Sequence, residues 1–214
     1  MISFLVNTYE KDWRWALQLL RQLRLIYPIA EIALICDGFC CAEIAETCQE
    51  LHVILHMGCR VKTELSHAWS DRLFAVAQAM PGVIIKIDAD MWVNRPLELP
   101  QGDWDICCDD HIGSPVIGGC IAFNPKVIPR LQDFIQTCQV ESYEKSTQPL
   151  YCQDKMLRRA IFELSLRALP LPNSKINWLD PVETPSQYAV FGPRIETIEL
   201  TGQKCRILSL RRSF

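Results

Sequence analysis

Two hydrophobic patterns alternate along the first half of the chain. Short, largely apolar runs mark strands at residues 2–6, 31–36, 52–56 and 83–87, the last apolar throughout except for Lys86. Runs this short and this apolar predict strands buried on both faces. Between them apolar residues recur every three or four positions. In residues 12–26, Trp13, Ala16, Leu17, Leu20 and Leu23 fall on one helical face behind Asp12, a favourable N-cap residue. Residues 41–51 and 66–80 read as two further helices, the latter capped by Ser66. Pro28, Asp37-Gly38, Met57-Gly58 and Pro81-Gly82 punctuate the segments.

Strand–helix alternation of this kind predicts an α/β domain with a mostly parallel sheet covered by helices on both sides. Open sheets of this class bind ligands beyond the carboxyl ends of their strands. The residues expected there are Asn7-Thr8, Asp37-Gly38, residues 56–58 and Asp88-Ala89-Asp90. After Asp90 the alternation weakens. Strands are expected at 104–108 and 116–123, helices from Pro125-Lys126 to about 138 and over 151–166, and a terminal hairpin from 194–200 and 204–210 around Thr201-Gly202. The sheet is therefore mixed, and the chain reads as one domain with halves at 1–90 and 91–214.

Composition narrows the class. The 214 residues, 49% hydrophobic and 22% charged, can bury a full core without metal or disulfide. A net charge of −3 argues against a dedicated nucleic-acid binder. No apolar run is long enough for an integral membrane segment, and residues 1–6 lack the basic start of an export signal. With 11 cysteines, an odd number, the expectation is a cytoplasmic protein with free thiols. Cys40-Cys41 and Cys107-Cys108 lack the C-x2-C spacing and matching histidines of a zinc site.

The pair Asp88 and Asp90 stands at the end of a buried run. In extended backbone positions i and i+2 point to the same side, so both carboxylates are expected to converge while Ala89 faces away. Converging carboxylates repel unless a cation lies between them, and a hard divalent ion such as Mn²⁺ or Mg²⁺ suits oxygen ligands. The bare Asp-x-Asp pattern is weak: Asp103-Trp104-Asp105 is a second match, discounted because it follows Gly102 in an expected loop.

Lys86-Ile87-Asp88-Ala89-Asp90-Met91-Trp92-Val93-Asn94-Arg95-Pro96-Leu97 resembles the metal-binding segment of glycosyltransferases with the Rossmann-like GT-A fold, nearest to the glycogenin and galactosyltransferase type. Ile117-Gly118-Gly119-Cys120-Ile121-Ala122-Phe123-Asn124-Pro125 resembles that family's strand near the sugar, and Cys152-Gln153-Asp154-Lys155-Met156-Leu157 its "Asp-Gln-Asp" helix start. The three motifs stand in family order over about residues 1–178. The resemblance implies a GT-A domain whose first half, 1–90, binds the nucleotide, and whose second half, 91–214, holds the sugar and acceptor. It implies a nucleotide-diphospho-sugar donor, an acceptor hydroxyl on a sugar, lipid or protein, and Mn²⁺ or Mg²⁺ on Asp88 and Asp90. Arg72 falls near the basic residue that the family sets close to the donor phosphates, and Trp178 in an acceptor-side segment.

Other assignments follow from residue chemistry. Asp154 is the candidate base or charge stabiliser at the reacting centre, or simply an acid favoured at a helix start. Gln153 would orient donor or acceptor hydroxyls. Thr8 and Asp37, at strand ends, are donor-binding candidates, although Asp37-Gly38 is also an ordinary turn. Gly118 and Gly119 let a sugar approach the backbone, or mark a bulge. The chain departs from the family where members often place a ligating histidine. Val190-Phe191-Gly192-Pro193-Arg194 stands there, and no histidine follows His111. Cys152 likewise replaces the first Asp of the helix-start motif.

The reading is a metal-dependent glycosyltransferase. Its rival from another class is a non-catalytic nucleotide-sugar-binding protein, motivated by those two departures. A phosphohydrolase also uses Asp-x-Asp after a strand, but Trp92 occupies the position where that class needs Thr or Val.

Overall fold

The computed structural model describes residues 1–63, 66–108, 110–111, 114–115, 119–145, 153–172, 174–175 and 189–191. Side chains are described at all of these except 60–63, 66–69, 110–111, 114–115, 138–145, 153–156, 174–175 and 191. The expected terminal hairpin lies outside the described residues.

The chain begins with β1 (Ile2–Thr8), α1 (Trp13–Ile26), β2 (Glu31–Asp37), α2 (Ala42–Glu50) and β3 (Ile54–Gly58), with the three strands parallel. After a small hairpin, β4 (Arg60–Thr63) and β5 (Ser66–Ser70), come α3 (Leu73–Ala79) and β6 (Val83–Asp88). β6 pairs with β1 on the side away from β2. Strand order thus runs one way from β1 to β3 and then reverses. Right-handed crossovers put the helices of the two directions on opposite faces of the sheet. Accordingly α1 and α2 bury Leu17, Leu20, Leu23 and Ile44 against Phe4, Val6 and Leu34. On the other face α3 buries Leu73, Val76 and Ala77 against Leu5, Ala33 and Ile35. Both sides of β1 and β2 are covered, which is why their apolar runs are continuous.

The second half completes the sheet. β7 (Trp92–Val93), β8 (Ile106–Cys108), β9 (Asp110–His111), β10 (Ser114–Pro115) and β11 (Cys120–Phe123) lead through a 3₁₀ turn (Pro125–Val127) into α4 (Ile128–Lys145), α5 (Gln153–Glu163), β12 (Ala168–Pro170), β13 (Ser174–Lys175) and β14 (Val190–Phe191). The seven-stranded sheet has the order β12-β8-β11-β6-β1-β2-β3, and within it β11 alone runs antiparallel to its neighbours. α4 and α5 add Ile128, Leu131, Leu157 and Ala160 to the layer of α3. The fold class is therefore as expected, a mixed, mostly parallel sheet between helices.

Three local expectations need correction. Residues 66–80 do not form one helix: 66–70 form a strand and the helix starts at Leu73. The pairing of 66–70 with 60–63 keeps that stretch extended, and Ser70 on Asp37 and Asp71 on Cys59 close the base of the hairpin before the helix begins. Arg72 therefore occupies the N-cap position of α3 and not its body. Asp12 does occupy the N-cap position of α1, yet its carboxylate makes no capping bond and turns back toward Thr8 and Tyr9. Beta strand three is shifted to Ile54–Gly58, two residues later than its apolar run suggests. Among the described cysteines, Cys36, Cys107 and Cys120 are buried.

Leu20 is fully buried between α1 and the sheet. Leu20→Ala is expected to cost about 2–5 kcal/mol in urea unfolding. A loss below 1 kcal/mol would contradict the close packing of this layer.

Candidate functional site

The sheet brings its polar residues to one edge. β1 and β6 end level, with Asn7 opposite Asp88, while Thr8 lies opposite Cys36 and Asp37 opposite Gly58. Because β11 is antiparallel, its start lies at the same edge: the Gly119 carbonyl accepts from the Asp88 N–H at 2.8 Å. This edge is where the strand order reverses, the place at which open α/β sheets form a crevice.

Asp88 and Asp90 do not meet by the alternation of an extended strand. β6 stops at Asp88, and Ala89-Asp90 form a turn closed by the Met91 N–H to the Asp88 carbonyl at 3.1 Å. Ala89 is buried in the α1-side core, and its burial swings Asp90 back toward the edge. The two carboxylates still share one electrostatic site. Burial pushes the Asp90 carboxyl up to about 6, and the charges of Asp88 and Asp12 add to the rise. Asp88 itself has a counter-charge: Lys86 Nζ, on a lysine only 2% exposed, donates to Asp88 Oδ1. The Asp88 side chain remains 39% exposed.

The segment after Asp90 is pinned to the body of the domain. Met91, Val93 and Leu97 are buried; the Val93 N–H donates to Gln22 Oε1 at 3.3 Å and the Leu97 N–H to the Tyr27 hydroxyl. β7 pairs antiparallel with β14, Phe191 opposite Trp92, and the Asn94 N–H donates to the Ala189 carbonyl at 2.9 Å. The late segment that departs from the family at its histidine thus lies one residue from the turn that carries Asp90.

Asp37 is buried and held at both oxygens, by Ser70 Oγ at 2.5 Å and Asn7 Nδ2 at 2.9 Å. Gly58 makes room for this arrangement, since a Cβ there would lie 2.6 Å from Ser70 Oγ and 2.7 Å from Asp37 Oδ1. Thr8 is also buried, and its hydroxyl donates to Asp12 Oδ1 at 2.7 Å. The Arg72 guanidinium is exposed, 4.0 Å from Asp71. Gln153 and Asp154 open α5, which packs beside β5, and their side chains are not among those described. Gly118 and Trp178 lie outside the described residues.

Three residues of this edge were not singled out from the sequence as site residues: Lys86, Asp12 and Ser70. Only Lys86 carries a sequence signal, as the one charge inside an apolar strand. The discounted pair Asp103 and Asp105 lies at the opposite edge, before the start of β8, where both face Lys126 at 2.8 and 3.4 Å. The donors at the Asp88 edge are hard carboxylate oxygens, the kind that Mn²⁺ and Mg²⁺ take. Among the described residues no group of three ligating side chains assembles. The chain would therefore hold such an ion through Asp88 and Asp90, with the remaining positions left to ligand oxygens and water.

No family model matches the sequence, and no curated protein sequence does. Solved structures do match the fold. The galactosyltransferase LgtC in complex with donor and acceptor sugar analogs superposes with a TM-score of 0.59 at 13% identity, covering 90% of this chain and 88% of that one. An active-site mutant of LgtC gives 0.58 at 12% identity over 89% and 86%. The glycosyltransferase GlyE of Streptococcus pneumoniae TIGR4 gives 0.56 at 12% identity, covering 80% of this chain and 45% of GlyE. The fold is that of GT-A glycosyltransferases. No helix among the described residues is long and apolar enough to cross a membrane.

The crowding of Asp90 has a pH signature. Its folded pKa of about 6 lies above the ordinary carboxylate value of 3.8, so the native state binds the proton more tightly. The stability this contributes is complete below about pH 4 and lost as pH rises through about 6. Without divalent ions, Asp90→Asn is therefore expected to stabilise the protein at pH 7–8 by on the order of 2 kcal/mol. The advantage should vanish below about pH 4, as read by urea unfolding at each pH.

Proposed function

We propose that this chain is a metal-dependent glycosyltransferase that moves a sugar from a nucleotide-diphospho-sugar to an acceptor hydroxyl. The observation that carries the reading is the placement of Asp88 and Asp90 together on the reversal edge of a GT-A sheet, where a cation would relieve the repulsion of their carboxylates. Bound there, Mn²⁺ or Mg²⁺ would supply charge stabilisation for the departing nucleoside diphosphate.

In this reading Asp88 and Asp90 hold the ion. Thr8 and Asp37 act from inside the edge: bonded to Asp12 and to Asn7 and Ser70, they shape the nucleotide end of the crevice. Arg72, exposed at the start of α3, is free to swing toward the donor phosphates. Gly118 and Gly119 admit the sugar close to the backbone, Gly119 lying directly against Asp88. Asp154, with Gln153 beside it, acts on the acceptor hydroxyl or the reacting carbon, and Trp178 covers the acceptor. The acceptor is a sugar, lipid or protein hydroxyl, and the compartment is the cytoplasm.

A thermal-shift screen of nucleoside diphosphates with and without Mn²⁺ tests the donor half, because a ligand raises stability by RT ln(1 + [L]/Kd). Asp90→Ala should fold and lose the Mn²⁺-dependent shift; a mutant that keeps it overturns the metal assignment. With a matched nucleotide sugar the wild type should release nucleoside diphosphate, faster when acceptor is present. Release of phosphate from simple phosphomonoesters, dependent on Asp88, would favour a hydrolase instead. Asp154→Asn should keep donor affinity and lower single-turnover rate by about 10²-fold or more. Donor binding without turnover in the wild type, whatever acceptor is supplied, would identify a binding protein.

A further inference from the structure

Lys86 is the least expected residue of the edge. Its strand neighbours Ile84, Ile85 and Ile87 are fully buried, and a lysine among them carries a large desolvation cost. An apolar side chain would fill a purely structural position at lower cost. What offsets the cost is the ion pair with Asp88, made from beneath the partly exposed carboxylate. Lys86 therefore puts a positive charge where a cation on Asp88 would also sit close, and engages one of the two oxygens that cation would use.

We infer that Lys86 is a built-in competitor of the metal, so that the chain binds a divalent ion weakly alone and firmly only when a diphosphate brings its own negative charge. The inference rests on the metal-dependent reading above. Around the edge stand the carboxylates of Asp12, Asp88 and Asp90, and Lys86 offsets the charge of one of them. Mn²⁺ added alone meets a site partly neutralised and an Asp88 already bonded. A metal–diphosphate complex adds phosphate oxygens to the coordination and so depends less on Asp88 as a full ligand. Positioning is the second effect: with Oδ1 held by Lys86, Asp88 offers Oδ2 to an incoming ion. Ligation through one oxygen leaves more coordination positions for phosphate and water.

Calorimetric titration with Mn²⁺, alone and with saturating inorganic pyrophosphate as the diphosphate probe, tests this on the full chain. The wild type should bind Mn²⁺ about tenfold or more tightly when pyrophosphate is present. Lys86→Met and Lys86→Gln remove the charge and should each tighten binding of Mn²⁺ alone by about tenfold or more. Lys86→Arg keeps the charge and should remain weak. A gain in metal affinity is a result that mere damage to the strand would not produce. Unchanged or weaker Mn²⁺ binding in a folded neutral variant overturns the inference, as does tightening by the arginine variant. Should neither neutral variant fold, the wild-type titration decides: equal affinity with and without pyrophosphate overturns the inference. A wild type that binds no Mn²⁺ under either condition instead overturns the metal-dependent reading.

Discussion

The double pairing of β1 is the constraint from which the rest of the structure follows. Held by β2 on one side and β6 on the other, β1 is the strand at which the order of the sheet reverses. Reversal places helices on both faces, and those helices turn the strand interiors into a continuous core. It also leaves the carboxyl ends of β1 and β6 side by side with no crossover helix over them. Asn7, Asp88 and the start of β11 are neighbours for that reason alone. The polar residues of the site come from segments far apart in sequence, and a single register sets their spacing.

That edge is costly to maintain. Buried Asp37, crowded Asp90 and buried Lys86 each pay in lost hydration, and each is compensated locally: by Ser70 and Asn7, by the turn that keeps Asp90 near the surface, and by Asp88. Such compensation requires rigid backbone. It is supplied by the apolar anchors Met91, Val93 and Leu97 behind the acidic turn and by Gly58, whose missing side chain leaves room for the Asp37–Ser70 bond. The apolar core thus contributes to chemistry by holding strongly interacting charges where they would not settle unaided.

The layered fold was legible because burial on both faces produces apolar runs with no alternation, as in β1, β2 and β6. The acidic pair was legible as a motif, while its geometry was not: the extended-strand rule fails at Asp90 because tertiary packing draws Ala89 into the core. The 66–80 segment misled for a related reason. Ser66 offers a local signal for a helix start, whereas the strand pairing of 66–70 and the bond from Ser70 to distant Asp37 are tertiary. Asp12 and Ser70 carried no local mark as site residues, since their partners are created by chain reversal and strand register.

The short pairing of β7 with β14 has a consequence for how the domain is assembled. β1 and β2 are each joined by one helix to the next strand, so β1, β2 and β3 can associate over short stretches of chain. β7 instead waits for a partner about a hundred residues downstream, a loop whose closure costs only slightly more than one half as long but takes much longer to find. The backbone behind Asp90 therefore gains its last support late. A chain caught before that moment would own a nearly complete sheet around β1 and an unsupported acidic turn, and its assembly order would keep the charged edge loose until the surrounding framework can restrain it.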